Sequence, residues 1–191
     1  MSTLAARFRV NDAQAECVAR TAAHCCKQAA RAWSLDGETQ RMLDWAARLH
    51  EIGLSVAHSQ YHKHGTYVTE KADLPGFSWQ EQQQLAALIR GHRRKFPVQV
   101  FAALPTVSQQ SAQRLCVLLR LAVLLHRARH DVEPRGLRLR AGKRALSVRF
   151  RHKRTFRHEC NRCDNAFRVY FRIYVNRLGE DQSSTGCEPS I

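Results

Sequence analysis

Met42, Trp45, Leu49, Ile52 and Val56 recur at spacings of three and four along the chain. That period lays one apolar stripe on a helix, which starts near Glu38 once "LDGE" has ended its predecessor. The predecessor is Ala-rich and runs to about Trp33; Asn11 is its N-cap, with Gln14 three residues on as the reciprocal partner. A shorter helix is expected over 64–72. "DLPGF" at 73–77 is a turn by its Pro-Gly pair, and Ser78 with Glu81 forms a capping box opening a helix to about Gly91. Pro97 argues against a quick return to helix. Ser108 is a candidate cap for the last long helix, to about His130. From Leu115 to Leu125 that helix is apolar on nearly every side, as a central bundle helix is, and Arg120 within it must find a partner or reach water. "LRLRA" (137–141) and "ALSVRF" (145–150) then alternate apolar and polar residues around "GKR", which reads as a β-hairpin.

Composition shifts sharply after this hairpin. Residues 1–150 hold 23 Ala and 18 Leu, whereas only Ala166 and Leu178 follow. "FRVYFRIYV" (167–175) could form one strand, and the polar stretch from Gly179 is expected to be disordered. The expected organisation is therefore a helical domain over 1–131, a hairpin over 132–150, and a divergent, partly disordered tail over 151–191. The opening "MSTLAARFRV" lacks an apolar core of signal-peptide length, and no apolar run approaches the roughly 20 residues needed to span a bilayer. A cytoplasmic chain with reduced cysteines and no membrane partner is expected. Cys17, Cys25, Cys26 and Cys116 lie on apolar helix faces and read as core residues.

The net charge of +15 favours a polyanion as partner. Nucleic acid is the less favoured polyanion, because no helix carries a continuous basic face and no aromatic residues interleave the basic clusters. The nine glycines are scattered, without a Gly-rich phosphate loop.

The segment "WAARLHEIGLSVAHSQYHKHGTYVTEKADLPGFSWQEQQQLAALIRGHRRKFP", with "RLCVLLRLAVLLHRAR" further on and "LAARFRVNDAQAECVARTA" before it, resembles the C-terminal region of the exopolyphosphatase / guanosine pentaphosphate phosphohydrolase (Ppx/GppA) family. The likeness runs from about residue 4 to 150, and the His-rich "HSQYHKHGTYV" and "GHRRKFP" look more like the exopolyphosphatase branch. The resemblance implies a mainly α, HD-domain-like helical bundle followed by a small β-hairpin. It implies a parent activity that removes terminal phosphate from polyphosphate or pppGpp, with Mg²⁺ serving that activity and no cofactor in this chain. The family's catalytic residues lie in N-terminal domains that this sequence lacks. After Phe150 the sequence departs from the family pattern. A truncated module is therefore expected, which binds and does not cleave, with a second copy or a separate chain bearing the phosphatase domains as possible partners.

Two sets of residues compete as the site. "LHEIGLS" (49–55) looks like the metal-binding core of an HD phosphohydrolase, with Glu51 where the pattern has Asp. Metal-bound HD sites polarise phosphoryl oxygens and supply hydroxide. His24, His50 and Glu51 are the available ligands, but no later Asp is well placed, since Asp73 falls in the turn and Asp131 after the last helix. A structural His50-Glu51 pair is expected, and an autonomous metal-dependent phosphohydrolase with His50 and Glu51 in catalysis is the alternative. The second set is basic: His62, Lys63, His64, Arg90, His92, Arg93, Arg94 and Lys95. Guanidinium forks and ammonium groups at helix ends suit phosphate oxygens, and the resemblance implies that they guide polyphosphate. A third set, Arg135, Arg138, Arg140, Lys143, Arg144 and Arg149, lies on or beside the hairpin, with Arg138 and Arg140 on one face. A Cys160-x-x-Cys163 pair with His152 and His158 is half a zinc site without a second half.

Overall fold

A computed structural model describes residues 2–129, 134–142, 145–150 and 170–174. It is mainly helical: α1 (Ser2–Arg7), α2 (Asp12–Trp33), α3 (Gly37–Leu49), a 3-10 turn (Ile52–Ser55), α4 (Tyr61–Lys71), α5 (Trp79–Gly91), α6 (Val98–Ala102) and α7 (Thr106–Leu125). A small antiparallel sheet follows, built of β1 (Leu137–Ala141), β2 (Ala145–Phe150) and β3 (Tyr170–Tyr174) in that order.

The central helix is α7. It packs against α2, α3, α5 and α6, and Leu115, Leu118, Leu119 and Ala122 are fully enclosed. Its near-continuous apolar surface is the sequence cause of that position. The helix begins at Thr106 behind Pro105, two residues before the expected Ser108 cap, and the Ser108 hydroxyl instead donates to the Pro105 carbonyl (2.9 Å). It also stops at Leu125, short of His130.

Other boundaries follow local chemistry. Asn11 caps α2 by accepting from the Gln14 amide (2.9 Å). The Gln14 side chain does not reach back to close a box; its Nε2 donates to the His126 carbonyl (2.9 Å), satisfying a buried acceptor beyond the end of α7. Ser78 and Glu81 do form the reciprocal capping box of α5. The short α6 was not expected so soon after Pro97; a proline just outside the first turn needs no N–H there and leaves the helix free to start. The stripe on α3 holds for Met42, Leu49 and Ile52, and Trp45 packs on Phe77 with ring centroids 4.5 Å apart. Val56 breaks it. The α-helical period ends at Leu49, the following turn is 3-10, and Val56 faces solvent.

The hairpin pairs Leu139 with Val148 and Ala141 with Leu146. Leu137, Leu146 and Val148 enter the core, while Arg138 and Arg140 share the exposed face. The outer edge of β1 is closed by side chains of α2. The Leu137 carbonyl accepts from His24 Nε2 and Gln28 Nε2 (both 3.1 Å), and the Leu139 amide donates to Gln28 Oε1 (2.9 Å). Trp33 Nε1 donates to the Gly142 carbonyl (2.9 Å). An edge occupied in this way cannot recruit another strand. The strand suspected within 167–175 is present as β3, antiparallel to β2. Lys143, Arg144, His152, His158, Cys160, Cys163 and the stretch from Gly179 lie outside the described residues, and so do all of 151–169.

Candidate functional site

Among the described residues three helices end on a histidine. His50 caps the C-terminus of α3, His92 that of α5 and His126 that of α7. A helix C-terminus leaves carbonyls without intrahelical donors. In two of the three the imidazole supplies one: His50 Nδ1 bonds the Ala47 carbonyl (2.7 Å) and His92 Nδ1 the Ile89 carbonyl (2.6 Å). A carbonyl only accepts, so both Nδ1 atoms carry the proton and each neutral ring keeps Nε2 as an acceptor. For His92 that acceptor faces the Tyr61 hydroxyl at 3.4 Å. His126 Nε2 pairs with the Thr21 hydroxyl (2.7 Å).

These rings form one buried group. His50 and His92 meet edge to face with centroids 5.6 Å apart, and His62 and Tyr61 stand 6.4 and 5.5 Å from His92. Burial holds both His50 and His92 below the ordinary imidazole pKa, His92 far below; the Glu51 carboxylate opposes this at His50 without reversing it. Beside His50, Glu51 is paired with Arg129 (3.0 Å), and its side chain is only 11% exposed.

The start of α4 brings Tyr61 and His62 to this group because two glycines let the backbone in. A Cβ on Gly53, in the 3-10 turn, would run into the Tyr61 carbonyl and the Gly65 amide. One on Gly65 would lie 2.9 Å from Ile89 Cγ2. The segment after α5 is fixed from the other side by Arg120. Its two guanidinium nitrogens donate to the Gly91 and Arg94 carbonyls, each at 2.7 Å. Arg120 thus satisfies its place in the core by pinning the basic loop.

On this frame the basic residues gather around His62. It is 5% exposed, its Nδ1 has no hydrogen-bond partner among the described residues, and burial with Arg90, Arg93, Lys63 and Arg94 drives its pKa down to about 4. The Arg93 guanidinium lies 4.4 Å over the Tyr61 ring. Among the described residues none of Arg90, Arg93, Arg94 and Lys63 is paired with a carboxylate. Arg94 adopts a left-handed backbone, φ 63°, and both it and Lys95 are exposed. His64 is half-buried one turn along α4.

The family model described as Ppx/GppA phosphatase, domain III, matches residues 1–164. The chain belongs to the Ppx/GppA family. The match extends past Phe150, where the sequence likeness was expected to stop.

Within this Ppx/GppA domain the two candidate sets meet at the His50–His92 contact. His62, Lys63, Arg90, His92, Arg93 and Arg94 share one region. His24 is not joined with His50 and Glu51: its ring bonds the hairpin. Among the described residues no three His, Cys, Asp or Glu side chains are grouped to hold a metal ion, and the Glu51 carboxylate already faces a guanidinium. The described residues therefore do not form a ligand set that fits the Mg²⁺ implied by the family's activity. Tyr61, His126 and Arg129 were missed as members of the site. The shared signal was a histidine just past the end of an apolar helix, in "RLHE", "IRGHRR" and "LLHRAR".

Replacing Arg120 by Met, which keeps length and removes both donors, should lower stability by about 2 kcal/mol, since the Gly91 and Arg94 carbonyls lose their charged partner. Urea unfolding measures that loss. Hydrogen exchange should show amides of 91–95 opening faster than in the wild type.

Proposed function

We propose that this domain binds polyphosphate, or another chain of phosphoryl groups such as that of pppGpp, as the polyanion-holding part of a Ppx/GppA-type phosphatase. One observation carries the reading: among the described residues Arg90, Arg93, Arg94 and Lys63 converge on one buried histidine and none of them is paired with a carboxylate. Cations gathered without counter-charge repel one another, and an anion relieves that repulsion. Arginine forks suit successive phosphoryl oxygens. His92, behind Tyr61, positions the aromatic ring on which Arg93 rests. His64 and Lys95 extend the basic surface to either side along the chain. The cleaving groups, and the Mg²⁺ they use, would come from other domains or another chain, and a second copy of this one is a further possible partner.

The test is binding of long-chain polyphosphate by titration at several salt concentrations. The double variant Arg93→Gln, Arg94→Gln should bind about a hundredfold more weakly, the loss of two charge-assisted contacts. Its salt dependence should also be shallower, by about 1.4 in the log–log slope. Equal binding by wild type and variant would sink the assignment. Phosphate release should be absent from the chain alone, with Mg²⁺ or with EDTA. Metal-dependent release that vanishes in His50→Ala would instead establish the autonomous phosphohydrolase.

A further inference from the structure

The site described above holds a group that simple ion pairing does not use. His62 is almost wholly enclosed, yet its Nδ1 has no hydrogen-bond partner among the described residues. A buried polar atom left unpaired is costly, so its persistence asks for a role. Among the described residues the charges facing it are all positive. Arg90, Arg93 and Arg94 come from the end of α5 and the segment after it, and Lys63 from α4 itself. The neutral rings of Tyr61 and His92 stand edge-on to it. The 3-10 turn Ile52–Ser55, which also packs on α4, brings no titratable side chain.

We propose that the site binds a phosphoryl group together with a proton, which His62 carries at Nδ1 and donates to a phosphoryl oxygen. The inference rests on the anion-binding reading above and adds its coupling to pH. In the free protein a proton on His62 would be one more positive charge among four cations, so the ring stays neutral. A bound phosphoryl group reverses the sign of the local field. Protonated Nδ1–H then has an acceptor, and the unpaired atom is satisfied. No bond of the phosphoryl group changes; one proton moves from solvent hydronium to the imidazole, forming the N–H bond, as the anion enters. Linkage follows: if the anion raises proton affinity, protons raise anion affinity by the same factor. Binding therefore tightens as pH falls, by up to tenfold per pH unit over the interval between the free and bound proton affinities of His62.

The experiment is an imidazole NMR titration of His62 in the wild-type protein, from pH 7.5 to 4.5, with and without tripolyphosphate. Tripolyphosphate affinities of wild type and His62→Gln are measured over the same range. The expected result is a His62 ring that stays neutral to about pH 4 when free, and takes its proton near or above pH 6 when the anion is bound. His62→Gln should bind with a weaker pH dependence, and that difference excludes the probe's own titration as the cause. Binding that leaves the His62 ring neutral throughout would overturn the coupling while leaving the anion site standing. Absence of any binding at pH 5 to 7 would overturn both. The NMR arm needs no substitution, so it decides the matter even if His62→Gln misfolds.

Discussion

Gly53→Ala should be the most damaging single-methyl change in the domain, lowering stability by about 4 kcal/mol. The added Cβ would meet the Tyr61 carbonyl and the Gly65 amide, both backbone atoms. A side chain could rotate away from such a contact, but backbone atoms move only if α4 moves. Overpacking commonly costs about 1–3 kcal/mol where side chains can shift, and more where they cannot. The comparison that isolates the cause is Gly37→Ala, at a position where a Cβ meets nothing within 4 Å. That change should be neutral or slightly stabilising, because alanine favours the helix. Urea unfolding of both variants measures the contrast. A Gly53→Ala protein within about 1 kcal/mol of wild type would show that α4 does not rest on the 3-10 turn as described.

The same contact explains how a structural glycine governs a charged site. The start of α4 presents Tyr61 to His92 and His62 to the basic loop. Displacing α4 would separate His62 and Lys63 from Arg90, Arg93 and Arg94. If the proposed polyphosphate site is the basic cluster at α4, any Gly53→Ala protein that still folds should therefore lose that binding along with stability. In the "LHEIGLS" stretch, the glycine and the histidine cap carry clear structural roles: His50 ends α3, and Gly53 admits α4.

Much of the fold was legible because it rests on local rules. The Ser78–Glu81 box, the Asn11 cap, the all-round apolar α7 and the alternating hairpin each follow from residues close in sequence. The failures came where a distant partner decided. Gln14 left its own cap for the His126 carbonyl, 112 residues away. Ser108 was displaced as the helix start by the Pro105 turn. The basic set of the site could be read from sequence, since "HKH" and "RGHRRK" announce themselves by composition. The histidine cluster beneath it could not, because α3, α5 and α7 end side by side only in three dimensions. Nor does "HE" disclose that its carboxylate faces Arg129, 78 residues on.

Mild acid should destabilise the free domain. Three of the clustered histidines, His50, His62 and His92, are held neutral in the fold with pKa values below the ordinary imidazole range. In the unfolded chain each would titrate near 6.5. Above that pH both states are neutral and the histidines leave stability unchanged. As pH falls below it, the unfolded chain gains protons that the folded chain refuses, so stability drops. For His62 the loss should continue to about pH 4, where the folded form begins to accept the proton. Its contribution is about 2 kcal/mol once solvent and salt screening of the neighbouring cations is allowed for. His50 and His92 act in the same direction, driven chiefly by burial and therefore less sensitive to salt than the cation part at His62. Urea unfolding at pH 7, 5.5 and 4.5, at low and high salt, separates the two kinds. The part owed to the cations around His62 should shrink in high salt and the whole His62 part should disappear in His62→Gln, while the part owed to burial of His50 and His92 should persist. A domain equally stable at pH 7 and 4.5 would mean that these rings are open to water or already paired with acid groups, and the buried cluster would not stand.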